Sequence, residues 1–303
     1  MTNVRRGEDG VHWRTSVLRR LLRGLIAGTV AALLCLPAAH AQRVLNVGLV
    51  PAEDPRLVVT DNQVMLDQLS KSLGMEIKPF VATDYNGVIE ALRAKRLDIA
   101  LLGPFSYVLA TSIASVEAFV IPETQKQGAT YQAYIIARKD RGIRTLAELK
   151  DKTFAFVDPS STSGHLFPKA GLIRAGFDPD TMFSRVIFSG GHDASALAVQ
   201  NGKVDAAAVA DALLESAMSR NMVKQEEIVI VWRSQPIPGA PFAMRKDLPE
   251  DLKARLRQAF AEMKDVPWGP NATIKRWIAV DDAHYDVVRD TARLLKLDIR
   301  KLK

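Results

Sequence analysis

The densest chemistry in the chain lies in the run Asp158-Pro159-Ser160-Ser161-Thr162-Ser163-Gly164-His165. It follows an apolar strand-like stretch, residues 153–157, and precedes a helical pattern through Leu172, Ile173 and Ala175. Pro168 has no backbone N–H and fits only a first helical turn, so the helix opens near Ser163 or Gly164. Ser161, Thr162 and Ser163 then stand at the helix start, with hydroxyls beside unpaired N–H groups and the positive end of the helix dipole. Such an arrangement can hold an anion. It is equally what an ordinary hydroxyl N-cap requires, and the stretch by itself favours neither reading.

Other polar residues recur at comparable places. Strands are expected at 44–50, 76–80 and 99–102, alternating with helices. The first helix is expected to be capped by Asp61 and closed by Gly74, with Val64, Leu66, Leu69 and Leu73 on its inner side. Tyr85 opens the next helix, and Ser106 follows the turn Gly103-Pro104. A longer strand is expected at 131–138, headed by Tyr131. The rhythm restarts at 153, with strands at 185–188, 205–209 and 227–232, a junction Ser189-Gly190-Gly191-His192-Asp193, and a helix opening at Asp211. Alternating strands and helices give parallel, doubly wound sheets, whose ligands sit where strands end and helices begin. The restart near Tyr131 and the stiff return Pro236-Ile237-Pro238-Gly239-Ala240-Pro241 predict one lobe inserted into another. The expected architecture is α/β: two doubly wound α/β lobes, residues 42–133 plus 237–303 and residues 134–236, joined by two hinge strands around a ligand cleft.

Residues 1–41 read as a secretory signal peptide. Arg14, Arg19, Arg20 and Arg23 precede an apolar stretch, and Ala39-His40-Ala41 is a small-x-small cleavage pattern. Removing them takes away six Arg, Glu8 and Asp9, so the formal charge falls from +7 to about +3, and nucleic-acid binding gains no support from charge. The single cysteine, Cys35, leaves with the signal, which excludes disulfides and thiol chemistry from the exported chain.

Four motifs occur together in order: Asp84-Tyr85; Asp98-Ile99-Ala100 with Gly103-Pro104-x-Ser106-Tyr107; Asp158-Pro159-x-Ser161-Thr162-Ser163-Gly164; and Ser189-Gly190-x-His192. Their combination resembles the periplasmic phosphate/phosphite/phosphonate-binding component of ABC importers, which has type II periplasmic-binding-protein architecture. The resemblance implies that Tyr85, Tyr131, Ser161, Thr162, Ser163 and His192 line the cleft and hold an oxyanion, with Ser106 and Asp211 as further candidates. It implies a monomer that closes on a small ligand and docks on an inner-membrane permease, with no cofactor. Relatives that take an aminoalkyl ligand carry an acid in the Ile-Pro-x-x-Pro connector, where this chain has Ala240; a buried ammonium would lose its counter-charge there. The expected ligand is therefore phosphite, phosphate or methylphosphonate, with aminoalkylphosphonates disfavoured. The arsenite-sensing branch uses a cysteine that the exported chain lacks.

Two other classes compete. A sensor passing ligand occupancy to a membrane histidine kinase, or a binder of another anion or small organic molecule, would share this fold. A hydrolase could use Ser161, His192 and Asp193 or Asp211, but the chain has no Gly-x-Ser-x-Gly elbow. Glu53 and Asp54 read most simply as solvated loop charges.

Overall fold

The computed structural model describes residues 44–297. The expected signal peptide lies outside them. In chain order, β1 (Val44–Leu49), α1 (Pro55–Leu73), β2 (Glu76–Val81), α2 (Tyr85–Arg93), β3 (Ile99–Leu101), α3 (Pro104–Ile113) and β4 (Val116–Thr124) form the first part. The chain then crosses through β5 (Thr130–Tyr131) to β6 (Ala133–Arg138), β7 (Thr153–Phe156), α4 (Phe167–Arg174), β8 (Arg185–Phe188), α5 (His192–Gln200), β9 (Ala206–Ala210), α6 (Asp211–Ser219) and β10 (Ile228–Arg233). It returns through β11 (Ile237–Pro238) to β12 (Phe242–Arg245), α7 (Glu250–Glu262), β13 (Pro267–Trp268), β14 (Ala272–Ala279) and α8 (Asp286–Leu294).

The strands make a seven-stranded sheet, β13-β14-β4-β12-β3-β1-β2, and a five-stranded sheet, β10-β6-β9-β7-β8. Between them β5 pairs antiparallel with β11, Tyr131 opposite Ile237, so the two crossings between the sheets run side by side. Only β2-β1-β3 and β8-β7-β9 are parallel. The remaining pairs are antiparallel, because strands bordering a crossing return into the sheet they left. The protein is thus α/β with mixed sheets, and its parallel portions carry the strand-to-helix junctions that the sequence singles out.

Local differences from the sequence pattern have identifiable causes. The first helix begins at Pro55 rather than at Asp61, because Asp54 accepts from Arg56 N and Pro55 takes the first position. The Pro-Ala-Glu-Asp-Pro run therefore ends as a helix cap and not as a plain loop. Of the expected inner residues, Leu66, Leu69 and Leu73 face inward together with Val58 and Met65, whereas Val64 is exposed. β4 and β14 are not expected from the sequence. They pair with each other antiparallel, Trp277 opposite Pro122; Glu117, Pro122 and Glu123 bound the short apolar run of the buried β4, and exposed Lys275 and Arg276 interrupt β14, which hides both from a hydrophobic count. The expected strand at 131–138 is divided by Gln132 into β5 and β6, which belong to different sheets.

Candidate ligand-binding site

Ser161 caps the turn after β7, its Oγ accepting from Gly164 N at 3.0 Å. Residues Thr162–Leu166 form a π-turn that runs into α4. Pro168 offers no N–H to the Gly164 carbonyl, which instead accepts from Val157 N at 3.0 Å and ties the turn back to its strand. Gly164 is required for that approach: a Cβ there would lie 2.4 Å from Val157 side-chain atoms. The N–H groups of Thr162 and Ser163 consequently open the helix with no intrahelical acceptor.

This turn is packed against the other sheet. Thr162 Oγ1 accepts from Phe105 N at 2.8 Å, supplying the cap that Gly103 lacks at the start of α3. Asp158 accepts from Ser160 N at 2.7 Å and from Tyr85 N at 3.3 Å, so one carboxylate orders the turn and docks the start of α2. Ser160 Oγ donates to Asn86 Oδ1 at 2.8 Å.

A cavity of about 220 Å³ lies where the two sheets meet, and Tyr85, Tyr131, Ser161, Thr162, Ser163 and His192 all line it. Tyr85 lies against Ser161, and Tyr131 against Thr162 and Ser163; burial raises both phenols above their ordinary value, so both remain neutral donors. His192 is fully packed, with its N–H donating to Ala52 O at 2.8 Å and its Nδ1 accepting from Ala210 N at 2.9 Å. With Nδ1 as acceptor, the ring proton sits on Nε2, and burial lowers the imidazole pKa to about 3. His192 is therefore a neutral donor at physiological pH. Among the described residues at the cavity wall, the only lysine or arginine is Lys126, which is paired with Glu215 at 2.6 Å. The site offers an anion hydroxyls, an imidazole N–H and helix-start N–H groups rather than a guanidinium fork.

Two of the expected residues do not line the cavity. Ser106 is buried at the start of α3, but its Oγ donates to Ser160 O at 2.9 Å and serves to join the two sheets. Asp211 opens α6 and accepts from Ala212 N at 2.8 Å and Gln127 Nε2 at 3.2 Å, so it stands behind a wall residue.

Glu53, expected as a solvated charge, is 7 % exposed and lines the cavity. Its Oε1 accepts from Ser216 Oγ at 3.0 Å, and burial raises its pKa to about 7. Neighbouring bonds clasp the same edge: Asp54 N donates to Asp193 Oδ2 at 2.9 Å, and Arg220 pairs with Asp61 at 2.6 Å. No sequence period marks Glu53, because what buries it comes from α5 and α6 of the other sheet.

Two mixed sheets joined by paired crossing strands, with a donor-lined cavity between them, define a type II periplasmic binding protein. The family described as "ABC transporter, phosphonate, periplasmic substrate-binding protein" matches residues 47–285. A phosphate-import protein, PhnD, of Mycolicibacterium smegmatis is 33% identical over 270 residues, covering 81% of this chain and 84% of the relative. A phosphonates-binding periplasmic protein of Escherichia coli is 31% identical over 239 residues, covering 77% and 70%. Among solved structures, the binding component of an ABC phosphonate transporter from Pseudomonas aeruginosa superposes with a TM-score of 0.74 at 29% identity, covering 82% of this chain and 85% of that one. The chain belongs to the family of periplasmic phosphonate-binding proteins of ABC transporters. Members of this family are substrate-binding transport proteins, which work in the periplasm with a small ligand and a membrane permease.

Proposed function

We propose that the protein captures a small phosphorus oxyanion (phosphite, phosphate or methylphosphonate) in the cavity between its sheets and delivers it, as a monomer, to an inner-membrane permease. The observation that carries this reading is that six donor-bearing residues line a cavity of about 220 Å³, with two phenols, three hydroxyls and an Nε2–H, every one electrically neutral. A tetrahedral oxyanion needs several convergent donors, and a closed site makes each charge-assisted bond worth about 1.5–3 kcal/mol. Residues 42–133 with 237–303 act as one lobe and 134–236 as the other, closing about the β5–β11 crossing. Exported through residues 1–41, the chain works in the periplasm.

Ala240 lies in the cavity wall on the connector between β11 and β12. The Ala240 methyl itself offers an ammonium no counter-charge, which favours ligands without an amine. A hydrolytic role is disfavoured by the same geometry. Ser161 Oγ is occupied as a cap for Gly164 N, and His192 presents a proton rather than a lone pair to the cavity.

A thermal-shift screen tests the reading, using phosphite, phosphate, methylphosphonate, sulfate and taurine. Stabilisation by one or more phosphorus oxyanions and not by taurine is expected. A shift with taurine alone, or with none of the panel, overturns it.

A further inference from the structure

Glu53 lines the same cavity as Tyr85 and His192. Its neighbour Ala52 accepts from the His192 backbone N–H, and the Glu53 charge is among those that raise the Tyr85 phenol. The groups facing it are Ser216 from α6 and Arg220 at its C-terminal cap, Asp193 from α5, Asp61 from α1 and Tyr85 from α2. Arg220 is already paired with Asp61, so Glu53 has one neutral hydroxyl donor, Ser216, and no cation of its own. A carboxylate and an oxyanion enclosed together repel each other unless a proton lies between them.

We propose that Glu53 selects the ligand by protonation state: the bound oxyanion and the Glu53 carboxyl share one proton. A monoanion bearing P–OH donates that proton to the carboxylate; a dianion is bound only with a proton taken up onto Glu53. Either route gives the same complex, with one O–H···O bond between carboxyl and oxyanion. The class of ligand so favoured is a phosphorus oxyanion with a titratable second P–OH, over sulfate, whose second proton is lost far below neutrality. This inference rests on the phosphorus-oxyanion reading given above. The tendency of burial to hold Glu53 near neutrality, at about 7, places the switch in the range where phosphite and methylphosphonate also lose their second proton.

Calorimetric titration of the purified protein with methylphosphonate, from about pH 6 to pH 9 in two buffers of different ionisation enthalpy, tests it. For wild type, affinity should fall about tenfold per pH unit once both the ligand and Glu53 are deprotonated, with close to one proton taken up per ligand bound. Glu53→Gln, which keeps the shape and the Ser216 donor, should flatten that slope and narrow the preference for methylphosphonate over sulfate by tenfold or more. Ser216→Ala removes the bond that stabilises the carboxylate, and should move the fall in affinity to higher pH. A Glu53→Gln protein that binds with the wild-type pH slope overturns the inference while leaving the ligand reading intact. Loss of 2-aminoethylphosphonate binding alone in Glu53→Gln also overturns it, since Glu53 would then be an ammonium partner. Failure of wild type to bind any phosphorus oxyanion overturns both. Thermal melting of each variant checks that the fold persists.

Discussion

Thr162 serves two parts of the structure at once, and its replacement by valine separates them. The isosteric change removes a hydroxyl that lines the cavity and also the acceptor for Phe105 N, 2.8 Å away at the opposite sheet. Phe105 N–H belongs to the first turn of α3, where Gly103 offers no side-chain cap, so in the closed arrangement it is left unpaired. An unpaired buried N–H costs about 1–3 kcal/mol, and a lost charge-assisted bond to the oxyanion about 1.5–3 kcal/mol. Taking the lower half of each range, closure around ligand weakens by about 2.5–4.25 kcal/mol, or roughly 70- to 1,300-fold in Kd. If the lobes separate without ligand, water serves Phe105 N–H in the open form. The ligand-free melting temperature of Thr162→Val should then stay near that of wild type. Thr162→Ser keeps both bonds and should lose less than about fivefold. Titration calorimetry with methylphosphonate, alongside scanning calorimetry of the ligand-free proteins, measures both quantities. A valine variant that binds within tenfold of wild type would refute the role assigned to Thr162. A ligand-free melting point lowered by several degrees would instead show that the cross-sheet bond is made without ligand.

Other expectations follow from individual contacts. Gly164→Ala should lower both melting temperature and affinity, because its Cβ would fall 2.4 Å from Val157 and displace the donor turn; circular dichroism melting reads the first effect. His192→Ala should weaken methylphosphonate binding by about tenfold or more through loss of the Nε2–H donor, and titration calorimetry would detect it. The acid response has a defined sign. His192 titrates at about 3 in the folded protein, below the ordinary 6.5, so the unfolded chain binds the extra proton between those values. Folding stability should therefore fall as pH drops from about 6.5 toward 3, and His192→Gln should flatten part of that slope in urea unfolding series. Ala240→Asp places a carboxylate in the cavity wall, and should weaken phosphite binding while improving 2-aminoethylphosphonate relative to methylphosphonate in a competition assay.

The α/β two-sheet framework was legible in the sequence, and so was much of the set of residues that line the cavity. Tyr85, Ser161, Thr162, Ser163 and His192 were legible because each sits beside a strand end and a helix start, where local signals such as Pro168 and the Gly-Gly-His turn fix the geometry. Ser106 and Asp211 satisfy the same local criteria. Their side chains are nonetheless drawn to partners on other elements, the Ser160 carbonyl and Gln127, which no local pattern reveals. Glu53 was hidden for the converse reason: its loop reads as polar, and its burial is imposed by Ser216 and its neighbours more than a hundred residues away. In the framework, β4 and β14 escaped because Glu117, Pro122 and Glu123 flank a short apolar run in β4, and Lys275 and Arg276 interrupt β14. The first helix was misplaced because Asp54 reads as a loop charge, when it caps the helix that Pro55 begins.

The central claim is that the cavity takes a phosphorus oxyanion without an amine. Titration calorimetry of the purified protein with phosphite, methylphosphonate and 2-aminoethylphosphonate at neutral pH tests it most directly. Phosphite or methylphosphonate should bind at least tenfold more tightly than 2-aminoethylphosphonate. Tighter binding of 2-aminoethylphosphonate than of either would contradict the meaning given to Ala240, and absence of heat with all three would contradict the assignment of the cavity itself.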